Sequence, residues 1–147
     1  MLLGHLIGDF IFQRDWEARL KVAQPPKTPR PEPPTNMWVS IEQSKAVCDW
    51  DNDVRDAKLA PWACTWHCAS YTAAIFMMCF WFLPWWAYPV IFITHWPVDR
   101  WRLARRFMLL NGQARFATEG LAPWSVILVD NICHLSVLYV LGLLAVV

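Results

Sequence analysis

Charge is missing from two long windows of this chain. Between Lys58 and Asp99 there is no Asp, Glu, Lys or Arg, and from Leu121 to Val147 the only such residue is Asp130. About 20 apolar residues are enough to cross a bilayer core as a helix, so the first window has room for two spans and the second for one. The N-terminus lacks the basic n-region and small-residue cleavage site of a signal peptide, which predicts a retained segment. Paired cysteines are lacking too. Cys48, Cys64, Cys68, Cys79 and Cys133 are odd in number and four lie in apolar stretches, which excludes a secreted disulfide framework and leaves them as small packing residues. A net charge of +1 gives no reason to invoke a nucleic-acid partner.

What is present is apolar and aromatic. The hydrophobic share is 56%, with 11 Trp in 147 residues, a length that fits one domain. The pattern predicts an all-α membrane bundle of about four helices, near 1–24, 59–83, 85–108 and 121–147. Pro25 and Pro26 end the first helix, whose amphipathic extension follows Gln13. QPPKTPRPEPPTN, with six prolines in thirteen residues, opens an extended Pro-rich and acidic loop over 25–58 that can also dock a partner protein.

All Lys and Arg fall in 14–58 and 99–120, so four spans place both charged loops on one side, the cytoplasmic one. Trp62, Trp66, Trp96, Trp101 and Trp124 lie near that boundary, and Trp81, Trp85, Trp86 and Tyr88 near the other, as aromatic belts. The expected location is a bacterial inner membrane.

The four histidines lie in or beside these segments. HLIGD gives His5 and Asp9, HWPVD gives His95 and Asp99, DNICH gives Asp130 and His134, and His67 stands inside the second span. A spacing of four puts two side chains on one helical face, as in helical metal motifs. Counted inward at ~1.5 Å per residue from the charged ends, all seven fall mainly in the cytoplasmic half of the bilayer. Carboxylates in hydrocarbon are costly unless paired or coordinated, and a divalent metal takes carboxylate and neutral imidazole together. Mixed N/O ligation suits Zn, Mn or Fe, as one ion or as two ions ~3.5–4 Å apart that activate water and clamp a phosphoryl group. Asp9, Asp99 and Asp130 are the candidate bases.

Simpler roles compete for the same residues. The three His–Asp pairs can serve as hydrogen-bonded glue within a bundle. Cys64, His67 and Cys68 form a soft corner or plain packing. Gln13 extends the His5–Asp9 face and can orient a ligand or substrate, or simply end a helix. Arg100, Arg102, Arg105 and Arg106 anchor the topology at lipid headgroups, with Arg102 also placed to hold an anionic substrate. Pro97 is expected to kink the third helix beside the site.

GHLIGDFIFQRDW, a later His in an apolar helix, H-x-x-x-D followed by a basic residue, and D-N-x-x-H together resemble a family of small bacterial and phage membrane proteins. That family is catalogued as domain of unknown function 3307. The resemblance covers residues 2–21 and about 60–140. It departs in the longer 22–58 loop and in Arg102, where Lys is more usual. The family's ligand pattern is similar to that of membrane-bound metal-dependent hydrolases. The family has no established activity, and the similarity of ligand pattern supports metal-dependent hydrolysis as the expectation. The basic rim of a cytoplasm-facing cavity favours a phosphate ester, on a lipid, a lipid-linked intermediate or a small molecule. A divalent-cation transporter, with four spans sufficing in a homo-oligomer, and a non-catalytic scaffold are the alternatives.

Overall fold

The computed structural model of this chain describes residues 1–11, 13–32, 41–119 and 121–146. Every regular element among them is helical: α1 Leu2–Leu6, a π-helical turn Ile7–Ile11, α2 Asp15–Leu20, α3 Ile41–Cys79, α4 Ala87–Arg100, α5 Leu103–Leu110, α6 Ala114–Thr118 and α7 Trp124–Val146. Among the described residues one helix, over Trp124–Ala145, is long and apolar enough to cross a membrane. The four-helix expectation thus holds as an all-helical fold, with four complete spans not evident by length and hydropathy. The apolar half of α3 is diluted by His67, Ser70, Tyr71 and Thr72, and α4 has 14 residues, about 21 Å of helix.

The breaks have local causes. Arg14 is extended (φ −83°, ψ 152°), so the expected 1–24 helix divides; α2 restarts with Asp15 and Glu17 in its first turn, where acidic side chains suit the helix dipole. The expected 85–108 helix divides at Arg102, which is left-handed (φ 50°) and re-aims the chain into α5. The largest departure is in the expected 25–58 loop. Residues 24–32 are irregular, 33–40 lie outside the described residues, and α3 is already helical from Ile41. Its first half puts Val47, Trp50, Val54 and Ala57, spaced three and four apart, on one half-buried face. Pro61 and Pro97 lie inside α3 and α4, which continue past them.

Two glycines set how closely the first segment approaches α3. A Cβ on Gly4 would stand 3.3 Å from Ile75 Cα, and one on Gly8 would stand 3.2 Å from Tyr71 Cα and 2.7 Å from the Tyr71 ring. Small residues four apart let helix backbones meet in this way. Beneath them, Tyr71, Ile75, Cys79, Leu83, Ala87, Ile91, Leu138 and Leu141 form the apolar core shared by α3, α4 and α7. The polar centre lies on this core, around Tyr71.

Candidate metal centre

All seven residues singled out by spacing come to one place. His5 is in α1, Asp9 in the π turn, His67 in α3, His95 and Asp99 in α4, and Asp130 and His134 in α7. The four histidines and Asp99 are buried. His67 Nε2 lies 3.2 Å from His95 Nε2, 3.4 Å from Asp9 Oδ1 and 3.1 Å from Asp99 Oδ2. His95 Nε2 lies 3.2 Å from Asp99 Oδ2 and 3.8 Å from Asp9 Oδ1. Asp9 Oδ1, His67 Nε2 and His95 Nε2 thus form a triangle with edges of 3.2, 3.4 and 3.8 Å. Ligands 2.0–2.2 Å from a tetrahedral ion stand about 3.3–3.6 Å apart, close to the separations here.

The set is not uniform. Asp9, His67 and His95 form one group that can hold a metal ion, and His95, Asp99 and His134 form another. His134 Nε2 meets the other Asp99 oxygen at 3.3 Å and Asp130 at 3.5 Å, and its ring stacks on His95 with centroids 3.9 Å apart. His5 and Asp130 stand outside both groups. His5 uses both ring nitrogens elsewhere, with Nδ1 2.8 Å from the Tyr71 hydroxyl and Nε2 2.8 Å from Asn131 Oδ1, while its Nδ1 is also 3.4 Å from Asp9 Oδ2. It positions Asp9, as partners behind metal ligands do.

Three buried atoms of this group have no hydrogen-bond partner: Asp9 Oδ1, His67 Nδ1 and His95 Nδ1. Two imidazole nitrogens lie within 4 Å of Asp9 Oδ1. A buried, unpaired carboxylate oxygen is costly, and a cation among these atoms removes the cost.

Two cavities open beside the centre. One, of about 320 Å³, is lined by Lys21, Asp99, Arg102, Arg105 and Asp130 against an apolar wall that includes Pro123 and Val126. The other, of about 400 Å³, is lined by Asp9, Gln13, Lys21, Asp130 and Asn131. Gln13 and Arg102 thus face separate cavities. With its amide oriented to satisfy both neighbours, Gln13 donates to the Asp9 carbonyl at 2.9 Å and accepts from Lys21 Nζ at 3.2 Å. Of the three candidate bases, Asp99 is enclosed, Asp9 is nearly so, and the Asp130 side chain is 31% exposed.

Spacing missed three members. Lys21 donates to Asp99 Oδ2 at 2.7 Å, yet reads in sequence as one more charge on an amphipathic segment. Tyr71 and Asn131 hold His5. Tyr71 is four residues after His67 and Asn131 adjoins Asp130, so both could have been found on the faces already marked. Cys64 and Cys68 are buried but join neither metal group; the Cys64 thiol points to the Trp96 carbonyl at 3.6 Å. No protein-family model, no curated protein and no solved structure matches this chain.

Proposed function

We propose that this chain is a multi-pass inner-membrane protein whose His/Asp centre binds a divalent metal and hydrolyses a phosphate ester at the cytoplasmic face. Support for the membrane reading comes from an inverted distribution of polarity. Five ionisable side chains of the centre are buried, while Trp81, Phe82 and Trp85 are 78–81% exposed. Large exposed apolar surface of this kind belongs against lipid or a partner. The resemblance to the small membrane-protein family above points the same way.

The observation that carries the metal reading is the convergence of Asp9 Oδ1, His67 Nε2 and His95 Nε2, three donor atoms near tetrahedral spacing beside a basic cavity. A divalent ion held there would acidify a water and polarise a phosphoryl oxygen. Arg102 and Arg105 on the cavity wall suit the phosphate, and Asp130, which lines both cavities, is placed to take a proton.

The test is purification in mild detergent, without chelator or His-tag, followed by elemental mass spectrometry. Zn, Mn or Fe at about one equivalent, lost in a folded Asp9→Asn variant, and hydrolysis of phosphomonoesters by the loaded protein are expected. No metal after reconstitution would overturn the proposal. Metal flux into liposomes without hydrolysis would replace it with divalent-cation transport.

A further inference from the structure

Four protein ligands close a tetrahedral metal site, whereas catalytic sites keep one position open for water or substrate. Asp99 Oδ2 stands 3.1 Å from His67 Nε2 and 3.2 Å from His95 Nε2, so a small shift would let it close this centre, yet the group that can hold an ion takes Asp9, His67 and His95 without it. The same oxygen receives the Lys21 ammonium at 2.7 Å. Lys21 is not a loose surface side chain. Its side chain is 12% exposed, its amine also meets Gln13, and Leu20 beside it is buried. Two residues on, the Ala23 carbonyl accepts from the buried Arg100 guanidinium at 3.1 Å, tying this turn to the end of α4.

We infer that Lys21 withholds Asp99 from the metal, leaving a three-ligand centre of Asp9, His67 and His95 with one position open to a water or a phosphoryl oxygen. A carboxylate oxygen offers two lone pairs; the short ammonium contact takes one, and its charge opposes a dication at the other. Charge supports a single ion as well. With neutral imidazoles, Asp9, Asp99 and Asp130 are balanced by one ammonium and one dication. Lys21 is thus a positioning residue; it lines both cavities, one of which also reaches Asp9. This inference rests on the proposed metal centre and specifies how that centre takes substrate.

Cobalt(II) reports coordination directly in its visible absorption, and azide reports an open position. The full chain in detergent would be loaded with cobalt and titrated with azide. Wild type should bind one equivalent and change spectrum with azide. Lys21→Met, which keeps the aliphatic stem, should hold cobalt at least tenfold more tightly and lose the azide response, because Asp99 now closes the site. Lys21→Arg should restore the response. Should Lys21→Met not fold, Asp99→Asn serves instead: cobalt and azide response retained, both lost in Asp9→Asn.

An azide-insensitive wild-type spectrum, or Asp99→Asn losing cobalt as completely as Asp9→Asn, overturns the inference and leaves the metal centre standing. An unchanged azide response in folded Lys21→Met does the same. No cobalt in the wild type overturns the metal centre along with the inference.

Discussion

His67 and His95 stand 28 residues apart in the chain and present their Nε2 atoms to each other at 3.2 Å. Two protonated nitrogens cannot face each other so closely, so at least one offers a lone pair. His95 belongs to both groups of potential ligands, whereas His5 belongs to neither. Removing His95 as His95→Gln should therefore abolish metal binding, with at least a hundredfold loss in chelator competition. His5→Asn removes a residue behind the ligands, for which a 10–100-fold weakening is expected. Equal losses in both would contradict the division drawn between them.

Gly8→Ala tests the contact of the first segment with α3. The new methyl would meet the Tyr71 ring at 2.7 Å and must push the π turn, and Asp9 with it, away from His67. Overpacking of this kind costs ~1–3 kcal/mol. A lower melting temperature in detergent and weaker metal binding should appear together. Stability lost without any change in affinity would show that Asp9 is positioned from elsewhere.

Tyr71→Phe removes the hydroxyl that meets His5 Nδ1. The ring remains in the core, so the expected cost is about 1 kcal/mol of stability, with metal affinity kept within tenfold. Thermal denaturation with and without metal separates the two effects.

Ile132 lies on the exposed side of α7 at 53% exposure, near the middle of its apolar run. Ile132→Arg should lower membrane insertion by about 2.5–3.5 kcal/mol on the biological insertion scale. Should wild type and variant both prove to be well-folded, freely soluble proteins, α7 is no membrane span.

Outside the apolar segments, Arg30 grips Asp51 through two hydrogen bonds, at 3.0 and 2.8 Å, and fastens the proline-rich stretch to α3. Those bonds hold the Asp51 carboxyl below its ordinary value of 3.8. A carboxyl lowered in the folded state supports the contact above its ordinary pKa and loses it as pH falls through the lowered value. An NMR titration should place Asp51 below a free Asp, and Arg30→Gln should return it to the ordinary range.

The residues that carry the centre were legible because helical spacing is a strong signal when the residue type is rare. Four histidines in apolar segments, three with an Asp four places away, left few places for a site. Spacing ranked them in the wrong order. It favours His5, with Asp9 four places on, over His67, which has no such Asp, while the order in the structure depends on Tyr71 and Asn131, which occupy the His5 nitrogens from other helices. Lys21 was hidden for a different reason: its partner Asp99 is 78 residues away, and nothing local distinguishes it from Arg19. The first half of α3 carries a readable stripe, Val47, Trp50, Val54 and Ala57, but the acidic residues between them and the prolines before them read equally as loop. Gly4 and Gly8 had a readable spacing, but its meaning depended on which helix lay opposite.

The π turn at Ile7–Ile11 makes the length of the first segment as consequential as its composition. It holds one more residue than an α-helix would use to cover the same arc, so it works like a gear engaged one tooth out of step. Losing one residue there would leave plain α winding over the same arc, with the flanking faces kept. Adding one that the turn does not absorb would swing everything upstream by about 100°. His5 would leave Tyr71 and Asn131, and Gly4 would turn away from Ile75. Changing the identity of Ile11, 70% exposed, disturbs neither. A scan of single-residue insertions would find this short stretch intolerant even beside positions such as Ile11 that accept substitution.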